Sequence, residues 1–242
     1  MRLLIIRHGD PDYSIDSLTE KGWREAELLS ERISKLDVKA FYCSPLGRAK
    51  DTAKATLEKM GREAEILDWL REFYYCQVKV PGAEETQICW DFMPSFYTKV
   101  DELYDVDKFK ELDFMREGNY PELFKIIADG VDALLEKHGY RRNGRYYDAV
   151  SPNRDTVVLF CHFGIECQIL GHILGLSPVI LAQNFCAAPT SVTTLITEER
   201  EQGIAVFRCQ SFGDISHLYA AGEEPAFSAR FCERYEDWDE RH

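Results

Sequence analysis

Two short apolar runs, residues 3–6 and 157–161, each stop at side chains able to do chemistry, the first at Arg7-His8-Gly9 and the second at His162. Runs of four or five residues rich in Ile, Leu and Val are too short for ordinary helices and read as buried strands. If the two strands are parallel neighbours, both imidazoles emerge at one sheet edge, where open α/β sheets bind ligands. Two further stretches repeat the arrangement: residues 38–43 lead into Ser44, Pro45, Leu46, Gly47 and Arg48, and residues 66–70 lead into Arg71 and Glu72. Four such strand ends would bring together a nucleophile, two guanidinium groups, a second imidazole and a carboxylate. That is equipment for moving a phosphoryl group.

Charge limits the partners. With 29 basic against 42 acidic side chains the net charge is −13, which argues against nonspecific attraction to nucleic acid or to an anionic membrane surface. A phosphorylated small-molecule substrate would be drawn in by local positive charge, from Arg7, Arg48 and the histidines, with Arg2 and Arg71 as weaker candidates. No apolar stretch is long enough for a membrane span, and the first residues lack the pattern of a signal peptide. Eight cysteines lie scattered without a CxxC pair, several inside apolar runs. They read as small core hydrophobes of a reduced, cytoplasmic protein, with neither a disulfide scaffold nor a zinc site.

Along the chain, Thr19 is an expected N-cap for a helix with Trp23, Ala26, Leu29 and Ile33 on one face, and Gly61 an expected stop for a second helix over 46–60. With a third strand near 64–67 this is a βαβαβ pattern, which implies right-handed crossovers. Residues 73–154 break the alternation with aromatic and acidic material. They are expected to form an inserted cap with its own small aromatic core, a helix over 120–138 and a solvated basic turn at 141–145. The pattern resumes with strand 156–161, a helix over 164–174 and a hairpin of 191–197 with 204–209. The expected fold is a three-layer α/β/α sandwich with a mostly parallel central sheet and an inserted, largely helical cap. Its catalytic core would comprise 1–72 and 155–230, followed by an acidic tail at 231–242. Oligomeric state is not legible.

Arg7-His8-Gly9, the stretch from Cys43 through Ser44-Pro45-Leu46-Gly47-Arg48 to Ala49, Leu70-Arg71-Glu72, and Cys161-His162-Phe163-Gly164, in this order, resemble the histidine phosphatase superfamily, the phosphoglycerate-mutase-like proteins. The resemblance implies a mechanism without metal or cofactor. Neutral His8 would attack phosphorus, its other ring nitrogen held by a backbone carbonyl, to give a phosphohistidine. Arg7 and Arg48 would grip the phosphate oxygens, joined by His162 and the backbone N–H of Phe163, and Glu72 would be the general acid and base. Phe163 occupies the place beside the second histidine where some members carry a carboxylate, which leaves the role to Glu72. Ser44 is expected to position the Arg48 loop, His217 to be a structural hydrogen-bonding residue, and Phe73, Tyr74 and Trp90 to be candidates for the pocket wall. The short loop before Leu18 favours hydrolysis of a phosphomonoester, whereas the departure at Asp10-Pro11 makes a non-catalytic module conceivable. The alternatives are a mutase-type phosphotransferase and a non-catalytic module that binds phosphorylated ligands.

Overall fold

The computed structural model describes residues 1–226 and 234–236. Strands β1 (Arg2–Arg7), β4 (Val38–Cys43), β5 (Glu65–Ile66) and β10 (Thr156–Cys161) run parallel, while β11 (Val192–Glu201), β12 (Ile204–Asp214), β9 (Tyr146–Ala149) and β8 (Tyr140–Asn143) join antiparallel. Together they make one eight-stranded mixed sheet in the order β5-β4-β10-β1-β11-β12-β9-β8. Two small ladders stand apart from it, β2 (Pro11–Asp12) with β3 (Ser17–Leu18) and β6 (Gln77–Val78) with β7 (Gln87–Ile88).

Alternation along the central strands sends side chains to two packed faces. On one face Leu4, Ile6, Phe41, Val158 and Phe160 meet Leu29 and Ile33 of helix α1 (Glu20–Ile33) and Ala49 and Ala53 of α2 (Gly47–Met60). Thr19 caps α1 by accepting from the Gly22 N–H at 3.0 Å, and Gly61 ends α2 in the left-handed region at φ 60°, both as expected. On the other face Leu3, Ile5, Val157 and Leu159 share a core with α5 (Tyr120–Lys137) and α6 (Phe163–Leu174). Leu29 is fully buried, so Leu29→Ala is expected to lower unfolding stability by about 2–5 kcal/mol in a denaturant titration.

Short helices α3 (Pro94–Tyr97) and α4 (Asp113–Glu117) with 3₁₀ turns fill the segment before α5, and α7 (Pro178–Asn184) and α8 (Ser216–Ala221) follow α6 and the long hairpin. Among the described residues no helix is long and apolar enough to cross a membrane.

Two expectations change. The stretch 66–70 is not a buried strand: β5 is two exposed residues at the sheet edge, after which a 3₁₀ turn over Asp68–Leu70 buries Leu70 and swings the chain across the strand ends. An edge strand with one neighbour needs few ladder bonds, and the turn is what carries Glu72 inward. The basic turn at 141–145 is exposed apart from half-buried Arg142, as expected, and forms the tip of the β8–β9 hairpin, which the buried Tyr140 and Tyr147 draw onto β12 against Phe207. Arg142 there bonds Asp132, the Tyr147 hydroxyl and the His172 carbonyl. Finally, the aromatics of 73–154 have no separate core, since Phe73, Phe109 and Tyr120 are continuous with Leu3 and Ile5. The expected tail at 231–242 lies almost wholly outside the described residues.

Candidate active site

Register makes the site. Arg7 pairs with Cys161 and Phe160 with Cys43, so the residues that follow on three adjacent parallel strands, His8, His162 and Ser44, leave the sheet at one level. The ladder runs one step further than the strands, with the His8 N–H donating to the Cys161 carbonyl at 3.0 Å and the Ser44 N–H to the Phe160 carbonyl at 2.9 Å. The two imidazole rings lie 5.1 Å apart, centroid to centroid.

His8 is buried, and its Nδ1–H donates to the Gly9 carbonyl at 2.7 Å, which leaves the Nε2 lone pair available. Burial, Arg7 and Arg48 hold its pKa well below the usual 6.5, so the ring is neutral at neutral pH. Its backbone is fixed by Thr190, whose N–H donates to the His8 carbonyl at 3.1 Å. Thr190 sits at φ 58°, an unusual conformation for a β-branched residue, and its hydroxyl is bonded to the Pro189 carbonyl and to His217 Nε2 at 3.1 Å. Burial and Arg32 push His217 down to about 4, so it stays neutral and props the turn behind His8. This is the structural role expected of it.

Arg7 is buried and donates to the Ala187 carbonyl. Arg48, in the first turn of α2, is equally buried and donates to Asp16 Oδ1 at 2.6 Å, while Tyr13 lies 5.4 Å beneath its guanidinium. Asp16 also accepts the Gly47 N–H at 2.7 Å. Thr52 ties the two histidine-side loops together, accepting the Gly9 N–H at 2.9 Å and donating to the Arg48 carbonyl at 2.7 Å. His162 caps α6, and its Nε2 is 2.7 Å from the Ser44 hydroxyl, whereas its buried Nδ1 has no hydrogen-bond partner among the described residues. Ser44 thus orients His162 as well as the loop, since its oxygen also accepts the Leu46 N–H. Burial, with His8, Arg48 and Arg7 nearby, lowers the His162 pKa well below 6.5.

Glu72 comes from outside the sheet. Its Oε1 accepts the Phe73 and Ile165 N–H groups at 2.8 and 3.0 Å and its Oε2 the Gly164 N–H at 3.2 Å, which docks the carboxylate on the first turn of α6. Burial raises its pKa, while these N–H groups and Arg7 oppose the rise. The carboxylate lines an open cleft of about 480 Å³ whose other walls include Arg48, Tyr74 and Trp90. Phe163, one residue before Gly164, packs edge-on against Trp90 at 6.2 Å. Gly164 leaves no room for a side chain: a Cβ would sit 2.5 Å from Glu72 Oε1 and 2.6 Å from the Trp90 ring. Gly164→Ala is expected to displace both groups and to lower turnover about tenfold or more, read as kcat with the fold checked by circular dichroism.

The structure therefore brings together Arg7, His8, Arg48, Glu72, His162 and Phe163. It leaves out Arg2, which bonds Thr156 at the far end of β1, and Arg71, which is exposed. Two groups carry no sequence signal of their own: Asp16, which sits in an unremarkable polar loop, and Glu166, one polar residue on the apolar helix α6. Glu166 is buried beside Arg7 and its carboxyl is raised from 4.5 to about 7 by burial, with the Thr193 hydroxyl and Arg7 opposing. The folded chain then holds a proton that the unfolded carboxyl has released. Its contribution to stability is full below about 4.5 and is lost as pH rises through about 7. Glu166→Gln is expected to flatten that decline, measured as the difference in Tm between about pH 5 and about pH 8 for the two proteins.

Comparison with known proteins agrees with the geometry. The model of the histidine phosphatase superfamily (branch 1) matches residues 3–104. A 2,3-bisphosphoglycerate-dependent phosphoglycerate mutase of Thermoplasma acidophilum is 34% identical over 70 residues, 25% of this chain, so the match spans only about a third (35%) of the mutase. A probable phosphatase of Schizosaccharomyces pombe is 22% identical over 234 residues, covering 90% of this chain and 95% of that protein. The solved structure of a mutant phosphoserine phosphatase of Entamoeba histolytica with phosphoserine superposes with a TM-score of 0.58 at 19% identity, over 90% of this chain and 98% of that one. At that identity the structural likeness is one of fold. Two histidines, two arginines and a carboxylate gather at the ends of its parallel strands, and over residues 3–104 the chain is similar to the histidine phosphatase superfamily.

Proposed function

We propose that this histidine-phosphatase enzyme hydrolyses a small phosphomonoester in two steps through a phosphohistidine on His8. In the first, Nε2 forms the bond to phosphorus as the ester P–O bond breaks, and protonated Glu72 gives its proton to the departing alkoxide. In the second, Glu72 takes a proton from water as that water displaces His8, releasing inorganic phosphate. Arg7 and Arg48 hold the phosphoryl oxygens. His162 is neutral in the unliganded site, and an arriving dianion reverses that balance by favouring the imidazolium. The buried Nδ1 without a partner is suited to a phosphoryl oxygen, which would satisfy it. The Phe163 N–H belongs to the same α6 terminus and adds its dipole.

The observation that carries the reading is the His8 ring itself, tethered by Nδ1 to the Gly9 carbonyl and kept neutral beside two arginines. We read the helices packed on both sheet faces as a three-layer sandwich, with 1–72 and 155–230 as the catalytic core and residues 73–154 as an inserted cap. Five buried free thiols (Cys43, Cys76, Cys89, Cys161 and Cys167) are consistent with a reducing, cytoplasmic setting.

The test is phosphate release from a panel of phosphomonoesters with and without a chelator. Release is expected to persist in the chelator, and its disappearance there would contradict the metal-independent mechanism. The partial likeness to a phosphoglycerate mutase keeps phosphotransfer as a second reading. A mutase would need a bisphosphate primer and return the phosphoryl group to a second hydroxyl, whereas the phosphatase releases inorganic phosphate without one. Binding of phosphate without turnover would leave only the ligand-binding module.

A further inference from the structure

The cleft in front of Glu72 has little positive charge to spare. Among its described lining residues Arg48 is the sole cation, and that guanidinium is already bonded to Asp16. Asp16 is the partner of that guanidinium and Glu72 carries its proton in the first step, so none of these lining groups is free to meet a second anion beyond the phosphoryl group. The rest of the wall is apolar or aromatic: Tyr13, Leu46, Tyr74, Ile88 and Trp90.

Trp90 is the fixed part of that wall. Its indole N–H donates to the Phe73 carbonyl at 2.8 Å, its own carbonyl accepts from Gln183 at 2.7 Å, and its ring is braced by Phe163. A side chain held at three points loses little freedom when a ligand ring is laid against it. Tyr74 and Tyr13 flank it with half or more of their surface exposed, 50% and 67% respectively, which leaves them wide contact faces at the mouth. The cleft volume of about 480 Å³ is ample for one ring beyond the phosphate.

Resting on the phosphatase reading above, we infer that the enzyme takes phosphomonoesters whose alcohol is uncharged and aromatic, and discriminates against those whose alcohol carries a second anionic group. An alcohol bearing a carboxylate would lose water in the cleft with no free cation among the described lining residues to replace it. Burying a charge without a partner is costly. An aromatic alcohol exchanges water for Trp90 and its tyrosine flanks instead.

Benzyl phosphate and 3-phosphoglycerate test this cleanly, because both release a primary alkoxide and differ in ring and charge. The expected kcat/KM for benzyl phosphate exceeds that for 3-phosphoglycerate by about tenfold or more, mostly through KM, and Trp90→Ala narrows the ratio. Tyr74→Lys, at a half-exposed position that tolerates a charged side chain, adds the missing cation and is expected to raise kcat/KM for 3-phosphoglycerate by about fivefold. Equal or reversed preference in the parent enzyme overturns the inference, as does a Tyr74→Lys enzyme no better on 3-phosphoglycerate. Phosphate release from neither ester would instead sink the phosphatase reading on which it rests.

Discussion

His8→Ala is expected to reduce phosphate release by at least about 10³-fold and to abolish any acid-labile phosphoenzyme. The loss follows from removing the one atom, Nε2, that is both tethered for attack and neutral. The scaffold should survive, because the bonds that hold this segment are backbone ones: the His8 N–H to Cys161, its carbonyl from Thr190, and the Gly9 N–H to Thr52. A variant with unchanged circular dichroism and no turnover would therefore report chemistry rather than folding. Rapid quenching in alkali, where phosphohistidine persists, followed by mass measurement should find one phosphoryl group on the parent protein and none on the variant. Residual turnover within tenfold of the parent would reject His8 as the nucleophile.

Glu72→Gln carries the second large effect, a fall of about 10²–10⁴-fold in kcat for an ester with a poor leaving group. The amide keeps an oxygen for the Phe73 and Ile165 N–H groups and gives up the bond from Gly164, so the side chain stays docked on α6. What it lacks is a proton to give. The raised pKa of Glu72 predicts the accompanying pH signature: the parent keeps the acid form to a higher pH than an ordinary carboxyl, and kcat falls as pH rises through that raised value. That alkaline limb should disappear in the variant. An activated aryl ester, whose leaving group needs no proton, should lose far less in its first step. An equal loss on both esters, with the alkaline limb intact, would assign the acid elsewhere, and Glu166, buried beside Arg7, would become the group to test.

Much of this site is legible in the amino-acid sequence, and particular residues show why. Thr19 as an N-cap, Gly61 and Gly175 as left-handed stops, and the apolar spacing of α1, α2 and α5 are local signals, each settled within a few residues of chain. The strand ends at His8 and His162 are equally local, because an apolar run that stops abruptly marks where a buried strand leaves the sheet. Glu72 is different, since the strand end that points to it in the sequence does not exist. Its position follows from a 3₁₀ turn and three N–H groups, two of them on a helix more than 90 residues away.

The basic turn at 141–145 is legible as solvated, but its place in the fold is not: only the inward-facing Tyr140 and Tyr147 put the hairpin on the sheet.

Element types, the two histidines and two arginines, and the family resemblance are written in the chain itself, because periodicity, capping and motif order are properties of short windows. The folded packing settles the rest: the in-register pairing of β1, β10 and β4, the Ser44–His162 and Asp16–Arg48 bonds, the docking of Glu72 on α6 and the aromatic cleft. These depend on contacts between residues tens to more than a hundred positions apart, whose geometry is set by how whole elements pack and leaves no local pattern behind.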